Sequence, residues 1–217
     1  MSFGSAVHFI GSFILMAALI LTIVINISAP VANQKSLSFT TLSLTTGNNA
    51  WFGVFGYCWE VDSVFQCTKA KIGYDAADIM KTIAQPTNSW SWETETGLKA
   101  LSVALIMHPI GSGVTFIAFL LSLPEGTCVS IMATLVSLLA AGVNICALVI
   151  DAVMFKSLEK AIKDAEVGSS KYGVTYYLSL AVAIATVIAF ILMLFTCCAG
   201  RRERRNNERK VGDNVSY

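Results

Sequence analysis

Residues 174–199 read VTYYLSLAVAIATVIAFILMLFTCCA and contain no Lys, Arg, Asp or Glu. A helix needs about 20 mostly apolar residues to cross the hydrocarbon core of a bilayer. Residues 1–27, 98–123 and 127–155 meet the same requirement, with no more than one charged residue in each. Charged residues make up 13% of the chain, whereas a soluble domain has about 25%. The sequence therefore predicts an all-α membrane bundle of four transmembrane helices, which we expect to be left-handed.

Basic residues predict how these spans are oriented. Six of the fifteen Lys and Arg residues lie in 201–210, and the positive-inside rule places such a cluster in the cytoplasm. The tail 200–217 is therefore predicted to be cytoplasmic, and with four spans the N-terminus is cytoplasmic too. Segments 28–97 and 156–173 are then extracellular, and residues 124–126 form a tight cytoplasmic turn.

The long extracellular segment has the character of β structure. Aromatic and β-branched residues, which strands favour, are enriched in 52–61, and shorter runs of this kind occupy 37–44 and 65–72. Asp75 is a suitable cap for a short helix, and the apolar residues of 76–83 recur at helical spacing. We predict a β-rich loop with three strands and one short helix.

Two cysteines in this loop predict a disulfide. Cys58 and Cys67 are the only cysteines in segment 28–97, they fall on neighbouring predicted strands, and disulfides persist outside the cell. Closing so short a loop contributes on the order of 3 kcal/mol. Neither histidine lies in the loop, and two thiolates alone do not complete a metal site.

Signals for catalysis are absent from the sequence. It has no Gly-rich phosphate loop after a strand, no cluster of metal ligands and no GxSxG nucleophile motif. We therefore predict no catalytic residues, no metal, no cofactor and no nucleic-acid partner. The protein is expected to act without enzymatic activity.

The cytoplasmic end of the last span carries two features that point to lipid. Cys197 and Cys198 are juxtamembrane cysteines, which are candidates for palmitoylation. Four arginines follow them: Arg201, Arg202, Arg204 and Arg205. Such a cluster attracts anionic inner-leaflet lipids or a cytoplasmic partner, and the alternative is an ordinary stop-transfer flank with two free thiols. We expect the polar tail itself to be disordered.

Polar residues inside spans are costly and are therefore functional candidates. His108 and Asn144 lie within the second and third spans, and Asp151 lies about one turn from the outer end of the third. We expect Asp151 to pair with Lys156 or to reach the interface. His108 precedes Pro109, and either a structural hydrogen bond or a proton site would account for it. A transport function would require His108, Asn144 and Asp151 to converge around a wet cavity.

The most specific feature is a motif in the extracellular loop. It runs Gly53-Val54-Phe55-Gly56-Tyr57-Cys58 and is followed by Cys67 and by Gly73-Tyr74. Together with four spans, this motif resembles that of the claudin-like superfamily, which has Gly-Leu-Trp followed by two spaced cysteines. Phe55 stands where claudins have Trp, and the run is more similar to the loop signature of the fungal Sur/PalI family. His108-Pro109 and the exit of the first span, Ile27-Ser28-Ala29-Pro30, also resemble motifs of that family.

This resemblance implies a non-enzymatic protein of the fungal plasma membrane. The PalI branch assists a multi-span sensor in ambient alkaline-pH signalling, and we favour this branch because of His108-Pro109. The Sur branch occupies sterol-rich furrow domains with cortical scaffold proteins and affects the cell wall and endocytosis. An ion channel, a transporter, or a claudin-like pore or adhesion protein remains an alternative, and the chain is a candidate for homo-oligomerisation.

Overall fold

The computed structural model describes residues 3–31, 35–44, 47–74, 99–124, 127–164, 166 and 168–215. The helices in this part of the chain are α1 (Phe3–Asn26), α2 (Met107–Leu121), α3 (Thr127–Asp164) and α4 (Val174–Val215). The strands are β1 (Thr40–Leu44), β2 (Asn49–Phe52), β3 (Tyr57–Val61), β4 (Val64–Cys67) and β5 (Gly168–Tyr172). Within these residues, four helical stretches are long and apolar enough to cross a membrane: Ala6–Asn26, Lys99–Leu121, Val129–Asp164 and Val174–Cys198. The chain is thus a four-span membrane bundle with a small β-sheet, as predicted.

The second span is broken near its start. Residues 99–104 are helical, a turn follows at Leu105 and Ile106, and α2 then begins at Met107. Pro109 explains the break, because a proline in a helix removes one backbone donor and its ring clashes with the carbonyl four residues earlier. In the first turn of α2 that missing donor is harmless, so Pro109 fits where the new helix begins.

All strand pairs in the sheet are antiparallel, in the order β4-β3-β2-β1-β5. The prediction of a single strand over 52–61 is wrong, because a turn at Gly53–Gly56 separates β2 from β3. The strand predicted over 65–72 ends early, at Cys67. Strand β5 lies between α3 and α4, within the segment 156–173, and was not predicted. The short helix predicted at 76–83 lies outside the described residues.

The sheet packs with one face on the end of the bundle, which we call the sheet end. Leu42 and Phe52 from this face, with Phe39 just before β1, form a buried cluster on the bundle. The cluster includes Leu105, at the break in the second span, and Leu158 on α3. Deeper in the bundle, a second cluster contains residues of all four helices: Leu15, Ala118, Ala140, Ala189 and Met193. Its three alanines let the helices approach closely. The first cluster joins the sheet to the bundle, and the second joins the four helices to one another.

Helices α3 and α4 extend beyond the predicted spans. Helix α3 continues to Asp164, past the predicted span end at 155. Helix α4 continues to Val215, so the prediction of a disordered tail is wrong. Arg, Glu and Lys are good helix formers, and lengthening an existing helix requires no new nucleus. These two properties account for a helical tail despite its polarity.

Candidate functional site: a motif joint and a buried polar cluster

The loop motif packs against the exit of the first span. The Val54 backbone N–H donates to Oγ of Ser28 at 3.1 Å, and the Gly53 N–H donates to the Gly56 carbonyl at 2.8 Å to close the turn between β2 and β3. On the other side, the Ala29 N–H donates to the Leu37 carbonyl at 2.9 Å. The chain leaving α1 is therefore bound both to the turn and to the approach to β1.

Two glycines of the motif allow this close packing. A Cβ atom at Gly53 would overlap the carbonyl oxygen of Ala29, and one at Gly56 would overlap Oγ1 of Thr68 and lie 3.1 Å from Cγ of Pro30. Glycine is the residue that permits such close backbone approach. Gly53 is thus explained by packing against the Ser28–Pro30 segment, and Gly56 by packing against Thr68 and Pro30.

Tyr74 connects the same turn to the second span. Its hydroxyl donates to the Gly53 carbonyl at 2.9 Å, and its own carbonyl accepts from Oγ of Ser102 at 2.5 Å. Burial, with a smaller contribution from the charge of Asp151, raises the pKa of the Tyr74 hydroxyl well above its usual range. The hydroxyl therefore remains a donor at ordinary pH. We call Ser28–Pro30, Gly53–Cys58, Gly73–Tyr74 and Ser102 the motif joint.

A disulfide links the two strands next to this joint. Cys58 and Cys67 are directly opposite each other on β3 and β4, and their sulfur atoms are bonded, as predicted. They pack with Ala29, Trp51 and Phe65 on the sheet face that points away from the bundle. The disulfide thus joins β3 to β4, and the residues around it pack against Ala29 at the exit of α1.

The second site is a buried group of polar side chains from three helices. His108 Nε2 on α2 lies 2.9 Å from Oδ1 of Asp151 on α3, and Oγ of Ser179 on α4 donates to Oδ2 of Asp151 at 2.8 Å. The side chains of His108 and Asp151 are 5% and 1% exposed. The Phe39 ring, at the start of the sheet, lies 5.0 Å from the His108 ring. We call His108, Asp151 and Ser179 the polar cluster.

The predicted environment of Asp151 is therefore wrong. Asp151 is buried rather than interfacial, and Lys156 donates instead to Glu159 at 3.1 Å. Residues five apart on an α-helix point about 140° away from each other, so Asp151 faces the interior while Lys156 is exposed. Sequence reasoning identified both His108 and Asp151, but it had no signal for their pairing across 43 positions.

Asn144 is bonded separately from the polar cluster. Its amide donates to Oγ1 of Thr115 at 3.2 Å and to the Ala140 carbonyl at 2.9 Å. It lies seven residues before Asp151, which is about 10 Å along the helix. The three intramembrane residues thus form a pair and a separate site, and do not meet at one point. Among the described residues, no group of three or more His, Cys, Asp or Glu could hold a metal ion.

The residues predicted to contact lipid lie at the opposite end of the bundle. Cys197 is half-buried and Cys198 is exposed, both at the end of the stretch Val174–Cys198 that is able to span a membrane. Arg201, Arg202, Arg204 and Arg205 follow on the same continuous helix. Their roles in lipid binding, and palmitoylation of the two cysteines, stay predictions.

Comparison with known proteins identifies the family. The sequence profile of the SUR7/PalI family matches residues 1–197. A relative named pH-response regulator protein palI/RIM9, from Yarrowia lipolytica (strain CLIB 122 / E 150), is 33% identical over 111 residues. This alignment covers 51% of the chain and 13% of the relative, so the chain corresponds to a small part of that protein. The resemblance predicted from the motifs is confirmed: the chain belongs to the SUR7/PalI family.

Proposed function

We propose that this chain is a non-enzymatic accessory protein of the plasma membrane that assists alkaline-pH signalling through a multi-span sensor partner. The observation that carries the proposal is its similarity, over half of its length, to a protein named as a pH-response regulator. Membership of the SUR7/PalI family agrees with this role. The chain would act by binding, and the sensing partner would carry the signal.

The architecture supports a role in binding. Strand β5, which precedes α4, pairs with β1, while the motif joint ties the sheet to the exit of α1 and the entry of the second span. The sheet is therefore attached to the bundle at several points along the chain. A sheet held in this way gives a partner a preorganised surface, which lowers the entropy lost on binding.

Transport is the less favoured alternative. The polar side chains within the spans are bonded in separate groups, as described for His108 with Asp151 and for Asn144 with Thr115. Between these groups and the tail, the described interior contains Leu15, Met193 and closely packed alanines. This packing supports an accessory role over a transport pathway that would connect His108, Asn144 and Asp151.

We further propose that the helical tail contacts the inner leaflet or a cytoplasmic partner. The 17 residues from 199 to 215 would extend about 25 Å as a continuous helix, and each Arg near an anionic surface contributes about 1 kcal/mol. Replacing Arg201, Arg202, Arg204 and Arg205 with Gln should weaken binding of a tail peptide to vesicles that contain phosphatidylserine. Equal binding to these vesicles by both peptides would reject the lipid role.

The direct test is a deletion in the host fungus. Cells without the gene are shifted to alkaline medium, and proteolytic activation of the pH-response transcription factor is followed by immunoblot. We expect activation to fail and the intact gene to restore it. Normal activation in the deletion strain would contradict the proposal and would favour the furrow-organiser alternative, for which co-localisation with cortical scaffolds in sterol-rich domains is the next measurement.

A further inference from the structure

The polar cluster places a carboxyl group in the bundle interior with one ionisable partner. Oδ1 of Asp151 is bonded to His108 and Oδ2 accepts from Ser179. Among the described residues, no Lys or Arg forms an ion pair with Asp151. The nearby cation on the same helix, Lys156, is exposed and is paired with Glu159. Within the described residues, His108 is therefore the group whose protonation would neutralise the charge of Asp151.

The other polar groups that the described part of the chain places around the cluster are neutral. Tyr74, in the segment before the second span, and Tyr176 on α4 both lie close enough to sense the charge of Asp151. On α1, Asn26 donates to Ser112 at 2.6 Å, and Ser112 in turn donates to the His108 carbonyl at 3.0 Å. None of these groups compensates a charge at neutral pH.

Protonation therefore decides the net charge of the buried pair. With one proton shared between His108 and Asp151 the pair is neutral, either as an ion pair or as two uncharged groups. Transfer of that proton to water leaves neutral imidazole and a carboxylate, with one uncompensated negative charge in a medium of low polarity. Such a charge is strongly unfavourable in the membrane interior.

Phe39 connects this pair to the sheet. Its ring packs against the His108 ring, its N–H donates to the Phe52 carbonyl at 2.7 Å, and its carbonyl accepts from the Gly173 N–H at 2.7 Å. Phe52 directly precedes the turn of the motif joint, and Gly173 directly precedes α4. A rearrangement around His108 would therefore alter the packing of Phe39, whose backbone is hydrogen-bonded both to the end of β2 and to the residue before α4.

We propose that the polar cluster is a proton-binding site that couples protonation to the docking of the sheet on the bundle. With the proton bound, the neutral pair packs beneath Phe39. When alkaline pH removes the proton, water enters around the remaining charge and the Phe39 contact weakens. This property belongs to the isolated chain, so it goes beyond the proposed signalling role and holds or fails independently of it.

The test uses the full chain in phospholipid nanodiscs, labelled with [15N]histidine and studied by NMR from about pH 5 to about pH 10. The chain has two histidines, so His8 is an internal reference, and the variant His8→Gln assigns the two signals. We expect the His108 signal to change across this pH range. Over the same pH interval, hydrogen exchange of the Phe39 amide, corrected for intrinsic pH dependence, should rise on the order of tenfold.

Two variants separate proton binding from simple packing. Asp151→Asn should remove the rise in Phe39 exchange and alter the pH response of the His108 signal, whereas Cys146→Ser, at an exposed residue of the same helix, should preserve both. A His108 signal that is unchanged across the range, or that titrates without any change at Phe39, would overturn the proposal. These wild-type measurements decide the matter even where Asp151→Asn does not fold.

Discussion

The motif joint and the polar cluster both lie at the sheet end of the bundle, and they hold it together by different means. In the joint, backbone groups and glycines meet at close range, and its side-chain donors, Ser102 and Tyr74, are uncharged. In the cluster, an acid and a base are buried together. The joint should therefore be sensitive to added volume and insensitive to pH. The cluster should tolerate apolar replacement of the whole pair and respond to charge.

The largest effect should come from separating the buried pair. His108→Leu leaves Asp151 buried without its ionisable partner, and loss of one member of a buried ion pair lowers the free energy of unfolding by about 4 kcal/mol. Replacing both residues, as in His108→Leu with Asp151→Leu, removes the charge and should recover most of that loss. Denaturant titration of the purified variants in mixed micelles measures both. If the single variant is as stable as wild type, the cluster does not act as a charge pair.

Added side-chain volume should be enough to disrupt the packing of the motif joint. Gly53→Ala places a methyl group on the Ala29 carbonyl, and the backbone shift that relieves the overlap should lower the free energy of unfolding by about 3 kcal/mol. The matched control is Gly113→Ala, because a Cβ at Gly113 would meet open space. Thermal unfolding at two pH values should show the same loss for Gly53→Ala at each. A loss that depends on pH would remove the distinction between joint and cluster.

The two sites also differ in how far they could be predicted from sequence. The spans were predictable because charge is excluded from long runs, and the disulfide because only Cys58 and Cys67 occupy the loop. Parts of the joint were visible as short motifs, Gly53–Cys58 and Gly73–Tyr74, but the hydrogen bond from Tyr74 to Gly53 was not. The cluster was visible only as isolated polar residues, because helix packing, which a single sequence does not encode locally, brings His108 and Asp151 together.

The errors in strand prediction have the same origin. Gly53 and Gly56 were assigned to a continuous strand because aromatic residues surround them, although they form a turn required by the approach of Ala29. Strand β5 lacks apolar alternation, and it exists because β1 offers a pairing edge more than one hundred residues earlier. Contacts between distant segments outweighed local propensity in both places.

A third effect concerns the disulfide beside the joint. Cys58→Ser or Cys67→Ser should lower stability by about 2 to 3 kcal/mol, because the unfolded loop gains conformational freedom. We expect retention of both variants in the secretory pathway, measured by surface labelling of intact cells. Cys146→Ser is the control, because Cys146 is an exposed free thiol. Normal surface levels of both loop variants would show that the joint holds the sheet without the disulfide.

The smallest effect should come from Tyr74→Phe, and it gives the sharpest contrast in pH dependence. The variant leaves the Gly53 carbonyl without its donor and should lower the free energy of unfolding by about 1 kcal/mol. Burial raises the pKa of Tyr74 above its usual value of 10.0. Because the pKa of Tyr74 is raised in the folded protein, its contribution to stability is fully present below pH 10.0 and is lost only as the pH rises above that value.

Plots of the free energy of unfolding against pH should therefore run parallel for wild type and Tyr74→Phe from about pH 6 to about pH 9. Any pH dependence that the two proteins share in this range should disappear in Asp151→Asn. Parallel curves would assign the pH response in this range to the polar cluster and the constant offset to the joint. A difference between wild type and Tyr74→Phe that widens as pH rises toward 9 would mean that folded Tyr74 loses its proton early, against the raised pKa of its hydroxyl. The joint, with its hydroxyl donor, would then itself be a pH-sensitive element.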